Sequence, residues 1–166
     1  RGVGELPPDT QGHNLSDQTL MKPLMELAAS LGMVVLTHAS EPVGHQYPGK
    51  GATTPEVLMT FIQQHPDVTI VCAHWGGGLP FYALIPEVGL GLKRTYFDTS
   101  VSPFLYNQQI FSLASQVIGV DTILMGSDYP LLKPQRVIDQ VNASSLTDDQ
   151  KAAVLGGNAQ RLLGLS

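Results

Sequence analysis

Four ionisable side chains stand at or just past the ends of short apolar runs: His38 after residues 33–37, His74 after residues 68–73, Asp98 closing 95–98, and Asp128 shortly after 122–125. Imidazole and carboxylate both present lone pairs to zinc or another divalent ion at about 2.0 to 2.2 Å, and both also move protons, so this set suits metal-centred hydrolysis or acid–base work. Glu5 lies near the end of a further run, 3–6, and joins the same set. Only a fold can unite groups separated this far in sequence. If the runs are parallel strands, their carboxyl ends share the face on which such folds bind ligands.

Each candidate has a plainer role to set beside it. His38 can hydrogen-bond a neighbouring carbonyl at a strand end. His74 opens the stretch His-Trp-Gly-Gly-Gly-Leu-Pro-Phe, residues 74–81, whose glycines let backbone approach a ligand closely or simply complete a turn. Asp128, in Gly-Ser-Asp-Tyr-Pro, has the composition of a cap before Pro130; Asp98, followed by Thr99 and Ser100, has it too and is not assigned as a ligand. Trp75, Phe81 and Tyr129 are expected to wall a pocket for a flat substrate. His45 gains weight from its place in the long connection 40–53; His13 lies in a loop without further support; His65, before Pro66, fits a helix end.

The elements that must position these residues follow from patterning. The five runs are apolar on both faces and rich in β-branched residues, as parallel strands covered by helices are. Between them, Asp17 caps a helix whose stripe is Leu20, Leu24, Leu27 and Leu31, ended by Gly32. Thr54 and Pro55 start another, with Val57, Leu58, Phe61 and Ile62 inward and Pro66 beyond its end. Weaker helical patterns cover 80–88 and 105–117, a further one 134–141, and Thr147 with Gln150 forms a capping box before a last helix toward Leu162 and Leu163. The fold class is α/β, and two architectures satisfy it: a small open sheet, or the second part of an eight-stranded barrel lacking about three strands.

Composition narrows the partners. Of 166 residues, 14 are acidic and 9 basic, for a net charge of -5, so nucleic acid and membrane surfaces are not expected partners and a small molecule is. Cys72 is the only cysteine, which removes intrachain disulfides and cysteine-cluster metal sites and suits a cytoplasmic location. There is no phosphate-binding Gly-x-x-x-x-Gly-Lys loop, no dinucleotide Gly-x-Gly-x-x-Gly and no Gly-x-Ser-x-Gly nucleophile elbow.

His38, His74 with its glycine-rich tail, Asp128 in Gly-Ser-Asp-Tyr-Pro, and the closing Gly-Gly-Asn-Ala-Gln-Arg-Leu-Leu-Gly-Leu together resemble the amidohydrolase-related branch of the metal-dependent amidohydrolase superfamily. The resemblance covers nearly the whole chain but only the second part of that family's barrel. It implies a single domain, 1–166, forming part of a TIM (β/α)8 barrel, about strands four to eight. It also implies that His38 and Asp128 bind metal, most simply zinc, and that His74 and Asp128 are catalytic, with Glu5, His45, Trp75, Phe81 and Tyr129 as weaker substrate contacts. The family's first strand supplies a His-x-His pair, which this chain lacks. An incomplete metal site is therefore expected in the chain alone, together with self-association or pairing with the missing amino-terminal barrel half. For the whole protein the resemblance implies a hydrolase acting on a lactone, amide or related carbonyl, with nonoxidative decarboxylation of an unsaturated or aromatic acid close behind. A noncatalytic α/β interaction module is the third reading.

Overall fold

The computed structural model describes residues 1–165. The chain alternates strands and helices: β1 (Gly2–Leu6), α1 (Pro8–Gln11), α2 (Gln18–Leu31), β2 (Val34–Thr37), α3 (Pro55–Gln64), β3 (Thr69–Cys72), α4 (Leu79–Tyr82), α5 (Pro86–Gly91), β4 (Thr95–Asp98), α6 (Ser102–Leu105), α7 (Gln109–Ile118), β5 (Ile123–Leu124), α8 (Pro134–Ala143), α9 (Asp148–Ala152) and α10 (Asn158–Leu163). All five strands are parallel, in the order β1-β2-β3-β4-β5. A doubly wound sheet reverses its direction of growth at a switch point; here every strand adds beside its predecessor, as in the wall of a barrel. That order decides between the two architectures the sequence allows. None of the described helices is long and apolar enough to cross a membrane.

The register levels the strand ends. Thr37 pairs with Cys72, Cys72 with Phe97, and Asp98 with Leu124, so the residues that follow these positions emerge along one rim. Between β1 and β2 the pairing runs Gly2 with Val34, Val3 with Val35, then Leu6 with Thr37, which leaves one extra residue in β1. An irregularity of this kind re-aims a side chain, and Glu5 lies inside it.

Some of the expected helices form as their sequence patterns predict, and others differ. Asp17 caps α2 by accepting the N–H groups of Thr19 and Leu20, and Gly32 ends it at φ 60°. The buried face, however, is Met21, Met25 and Ala28, while Leu20, Leu27 and Leu31 are 53%, 56% and 63% exposed. Both stripes satisfy helical spacing, so periodicity could not choose between them. The pattern expected over 80–88 is split into α4 and α5, where Pro86 begins a new helix, and that over 105–117 into α6 and α7, with extended backbone at Tyr106. The Thr147 and Gln150 capping box is present, and after Ala152 the last helix is interrupted by a wide turn before α10 resumes. Buried Asn158 donates to the carbonyls of Val120 and Ile123 at 2.8 and 2.7 Å, tying α10 beneath β5. The core fills the layer between sheet and helices with Val35, Leu58, Phe61, Ile70, Phe97 and Phe111.

Candidate metal centre

Glu5, His38 and His74 arrive from β1, β2 and β3, and one donor atom from each lies within 4.8 Å of the other two. His38 follows Thr37, and its backbone N–H bonds Leu6 O at 2.9 Å, which fixes the strand end beside Glu5. Its Nδ1 lies 2.9 Å from Glu5 Oε1 and its Nε2 3.3 Å from Ser40 Oγ. Ser40 Oγ also accepts the Gly51 N–H at 2.9 Å. An ionised carboxylate only accepts, so His38 Nδ1–H donates to Glu5. Asp9 holds the far end of the same loop, accepting Ala52 N–H at 2.8 Å and the Thr53 hydroxyl at 3.0 Å.

His74 is almost wholly buried, 5% exposed, with its ring edge-on to that of His38 at 4.8 Å between centroids. Its Nε2 lies 3.8 Å from Glu5 Oε1 and its Nδ1 3.2 Å from the Ser100 carbonyl. Burial lowers the pKa of the His38 imidazole, but the hydrogen bond and charge of Glu5, with smaller help from the Gly49 backbone and Asp9, reverse this and leave it above the usual value. Burial also raises Glu5, and the two histidines more than offset it, so Glu5 stays ionised below the usual carboxylate range. Burial holds the Asp98 carboxyl above its usual value, against His74 and the amides it accepts.

The donor set fits a divalent ion. Two ligands each about 2.1 Å from a tetrahedral ion lie about 3.4 Å apart, within the span that Glu5, His38 and His74 already occupy. One carboxylate with two imidazoles is the mixed oxygen and nitrogen set that zinc and similar ions accept.

Asp128 takes another position. It is exposed at the end of β5 with φ 63°, and it lines a cavity of about 450 Å³ shared with His38 and His74. It also lines a second cavity of about 480 Å³ with Glu5, Asp98 and Ser100. Its carboxylate is not among the three donor atoms that cluster. The sequence paired His38 with Asp128; the structure groups His38 with His74 and Glu5, because the extra residue in β1 brings Glu5 in and the two-residue β5 leaves Asp128 on a turn.

The weaker candidates divide. Exposed His45 lines the 450 Å³ cavity beside Tyr47, Pro48, Phe104 and Leu131. Phe81 lines a neighbouring cavity of about 420 Å³ with Glu41, Tyr47 and Tyr106. Trp75 is a correction: it is fully enclosed, stacked edge-on to Phe111 at 5.2 Å with its indole N–H on Ser102 Oγ at 3.0 Å, so its large apolar surface belongs to the core. Tyr129 is 72% exposed, and Leu131 two residues on faces the cavity instead. Asp98 and Ser100, which grip His74, had only the appearance of a cap in sequence. Burial of the polar trio 98–100 is the signal that periodicity does not carry.

Parallel strands in barrel order, with imidazole and carboxylate donors gathered at their carboxyl ends, define a section of a (β/α)8 barrel that carries a candidate metal site. A family model described as amidohydrolase matches residues 1–165, and the chain belongs to that family. Among solved structures, 5-carboxyvanillate decarboxylase from Sphingomonas paucimobilis superposes with TM-score 0.74 at 18% identity, covering 92% of this chain and 55% of that one. The 2,6-dihydroxybenzoate decarboxylase from Rhizobium gives 0.72 at 19%, covering 92% and 57%. A dihydroxybenzoic acid decarboxylase from Polaromonas, with bound manganese and the inhibitor 2-nitroresorcinol, gives 0.71 at 18%, covering 92% and 55%. The chain thus spans little more than half the length of each, and the shared part is an open section of a (β/α)8 barrel. A comparison with curated proteins finds no match.

Proposed function

We propose that the whole protein is a divalent-metal-dependent decarboxylase of a small aromatic or unsaturated carboxylic acid. The observation that carries this reading is the Glu5, His38 and His74 donor cluster opening into a cavity walled by Tyr47, Pro48, Phe104 and Leu131, with Asp128 at its side. The decarboxylases that share the fold favour this chemistry over the hydrolysis that the sequence put first. Glu5, His38 and His74 hold the ion, zinc or manganese, which when bound supplies positive charge to anionic substrate oxygens. The apolar wall takes the flat face of the substrate and keeps water from its carboxylate. Asp128, outside the donor cluster, delivers a proton to the carbon that bears the carboxylate. The carbon–carbon bond then breaks, its electron pair returns to the ring or chain, and carbon dioxide leaves.

The strands that complete the barrel are read as packing on the apolar inner face formed by Val34, Leu36, Val71 and Leu124, from a further segment or a second copy. The test is carbon dioxide release from a panel of hydroxybenzoates by the metal-loaded whole protein, beside a panel of lactones. Turnover of hydroxybenzoates only is the expected result. Lactone opening without carbon dioxide would establish the hydrolase instead, and no metal uptake would remove both.

A further inference from the structure

The chain leaves β3 through a turn of left-handed helix: His74, Trp75, Gly76 and Gly77 have φ of 54°, 57°, 57° and 60°. Glycine adopts this conformation freely, whereas a histidine and a tryptophan do so only when their surroundings hold them there. Trp75 is held by its place in the core. His74 is held by Asp98, the last residue of β4, whose Oδ1 accepts the His74 N–H at 3.0 Å and the Ser100 N–H at 2.9 Å.

The second of these bonds reaches the imidazole. The Ser100 carbonyl lies 3.2 Å from His74 Nδ1. A carbonyl only accepts, so Nδ1 carries a proton, and in the neutral ring this leaves the lone pair on Nε2. Nε2 is the atom turned toward Glu5, at 3.8 Å, too far for a hydrogen bond, and Glu5 is already engaged with His38 Nδ1–H at 2.9 Å. A single buried carboxylate oxygen therefore anchors both the backbone that carries the ring and the backbone that receives its proton. Gly126 leaves room for this arrangement, since a Cβ there would lie 2.6 Å from Ser100 Oγ and 3.1 Å from Asp98 Cγ.

We propose that Asp98 is a positioning residue that fixes the tautomer and the aim of His74, so that Nε2 presents a lone pair to the Glu5 and His38 cluster. The consequence for metal binding rests on the proposed function; the tautomer belongs to the metal-free chain and stands apart from it. Nitrogen-15 correlation spectra of the His74 ring, recorded on the metal-free full chain for the wild type, Asp98→Asn and Asp98→Leu, read it directly. The expected result is a single Nδ1–H tautomer in the wild type, retained in Asp98→Asn, which keeps an oxygen acceptor, and lost to a mixture in Asp98→Leu. Zinc affinity of Asp98→Leu should fall about tenfold or more, the range for groups that orient a metal-binding histidine.

A wild type with its proton on Nε2, or an Asp98→Leu variant with the wild-type tautomer, overturns the proposal. Should Asp98→Leu not fold, amide exchange in Asp98→Asn reads the same link. The His74 and Ser100 N–H groups then exchange faster than in the wild type, because a neutral acceptor holds them less tightly; unchanged exchange at both overturns the proposal. Failure of the wild type to take up zinc would count against the metal reading and leave the tautomer result in place.

Discussion

The ends of β3 and β5 deliver the two side chains that sequence marks most clearly, His74 and Asp128, and they do so in opposite ways. At the β3 end everything is tied: His74 is buried, its N–H and ring nitrogen are both engaged, Gly76 packs against the Phe97 ring and Gly77 against the Ser40 backbone. At the β5 end the strand is two residues long, Asp128 is exposed, and Leu131 N–H bonds back to its carbonyl at 2.9 Å to close a turn. The contrast matches the roles proposed for them: a ligand that has to hold one orientation is built into the core, and a proton donor that has to reach substrate and water stands at the surface.

The largest expected effect tests the exposed side. Asp128→Asn should lower turnover of the whole protein about 10² to 10⁴-fold, the usual share of a proton-transferring group. Its denaturation midpoint should move little, because an exposed substitution is within about 0.5 kcal/mol. A large stability loss would mean that Asp128 is a structural cap and the contrast between the strand ends is false.

Beside the β3 end, at the end of β2, His38→Ala should weaken zinc binding about a hundredfold, by titration calorimetry, since the proposed site loses one of its three protein donors. Equal affinity would place the ion elsewhere. Between the two ends, Gly77→Ala should destabilise by about 2–4 kcal/mol, the sum of overpacking and left-handed strain, because its Cβ would meet the Ser40 carbonyl at 2.3 Å. Gly126→Ala meets only side-chain atoms, Ser100 Oγ at 2.6 Å and the Asp98 carboxyl, and should cost about 1 kcal/mol. Chemical denaturation of both variants sharpens the comparison, and a reversed order would break it.

The smallest effect is on pH. His38 titrates above its usual 6.5, so its contribution to metal-free stability is present below 6.5 and is lost as pH rises through the raised value. Glu5 titrates below its usual 4.5, so its contribution is present above 4.5 and is lost as pH falls through the lowered value. Burial lowers His65, which makes folding less favourable as acid charges the unfolded histidine. Stability of the metal-free chain should thus peak between the Glu5 and His38 transitions, by denaturation across pH. Removing Glu5 with Glu5→Gln should erase the alkaline decline, and persistence of that decline would assign it to another group.

Much of this was legible in advance for one reason: local signals were strong where the chain makes its turns. Thr147 with Gln150, Asp17, Pro55 and Gly32 mark helix ends through bonds and backbone angles that depend only on near neighbours. The placing of His38 and His74 just past apolar runs was legible too, since parallel strands send their carboxyl ends to one side. The inward face of α2 was not, because its two apolar stripes are equivalent until a sheet lies against one of them.

By itself, then, the sequence determined that the protein is α/β, that strands and helices alternate, and that histidines and aspartates stand at the strand ends, all consequences of residue type and spacing. Only the tertiary structure decided that β1 carries an extra residue and brings Glu5 to the histidines, and that Trp75 belongs to the core. It alone showed that a carboxylate 24 residues away holds His74. Register, side-chain direction and burial are relations between distant segments, and no local pattern contains them.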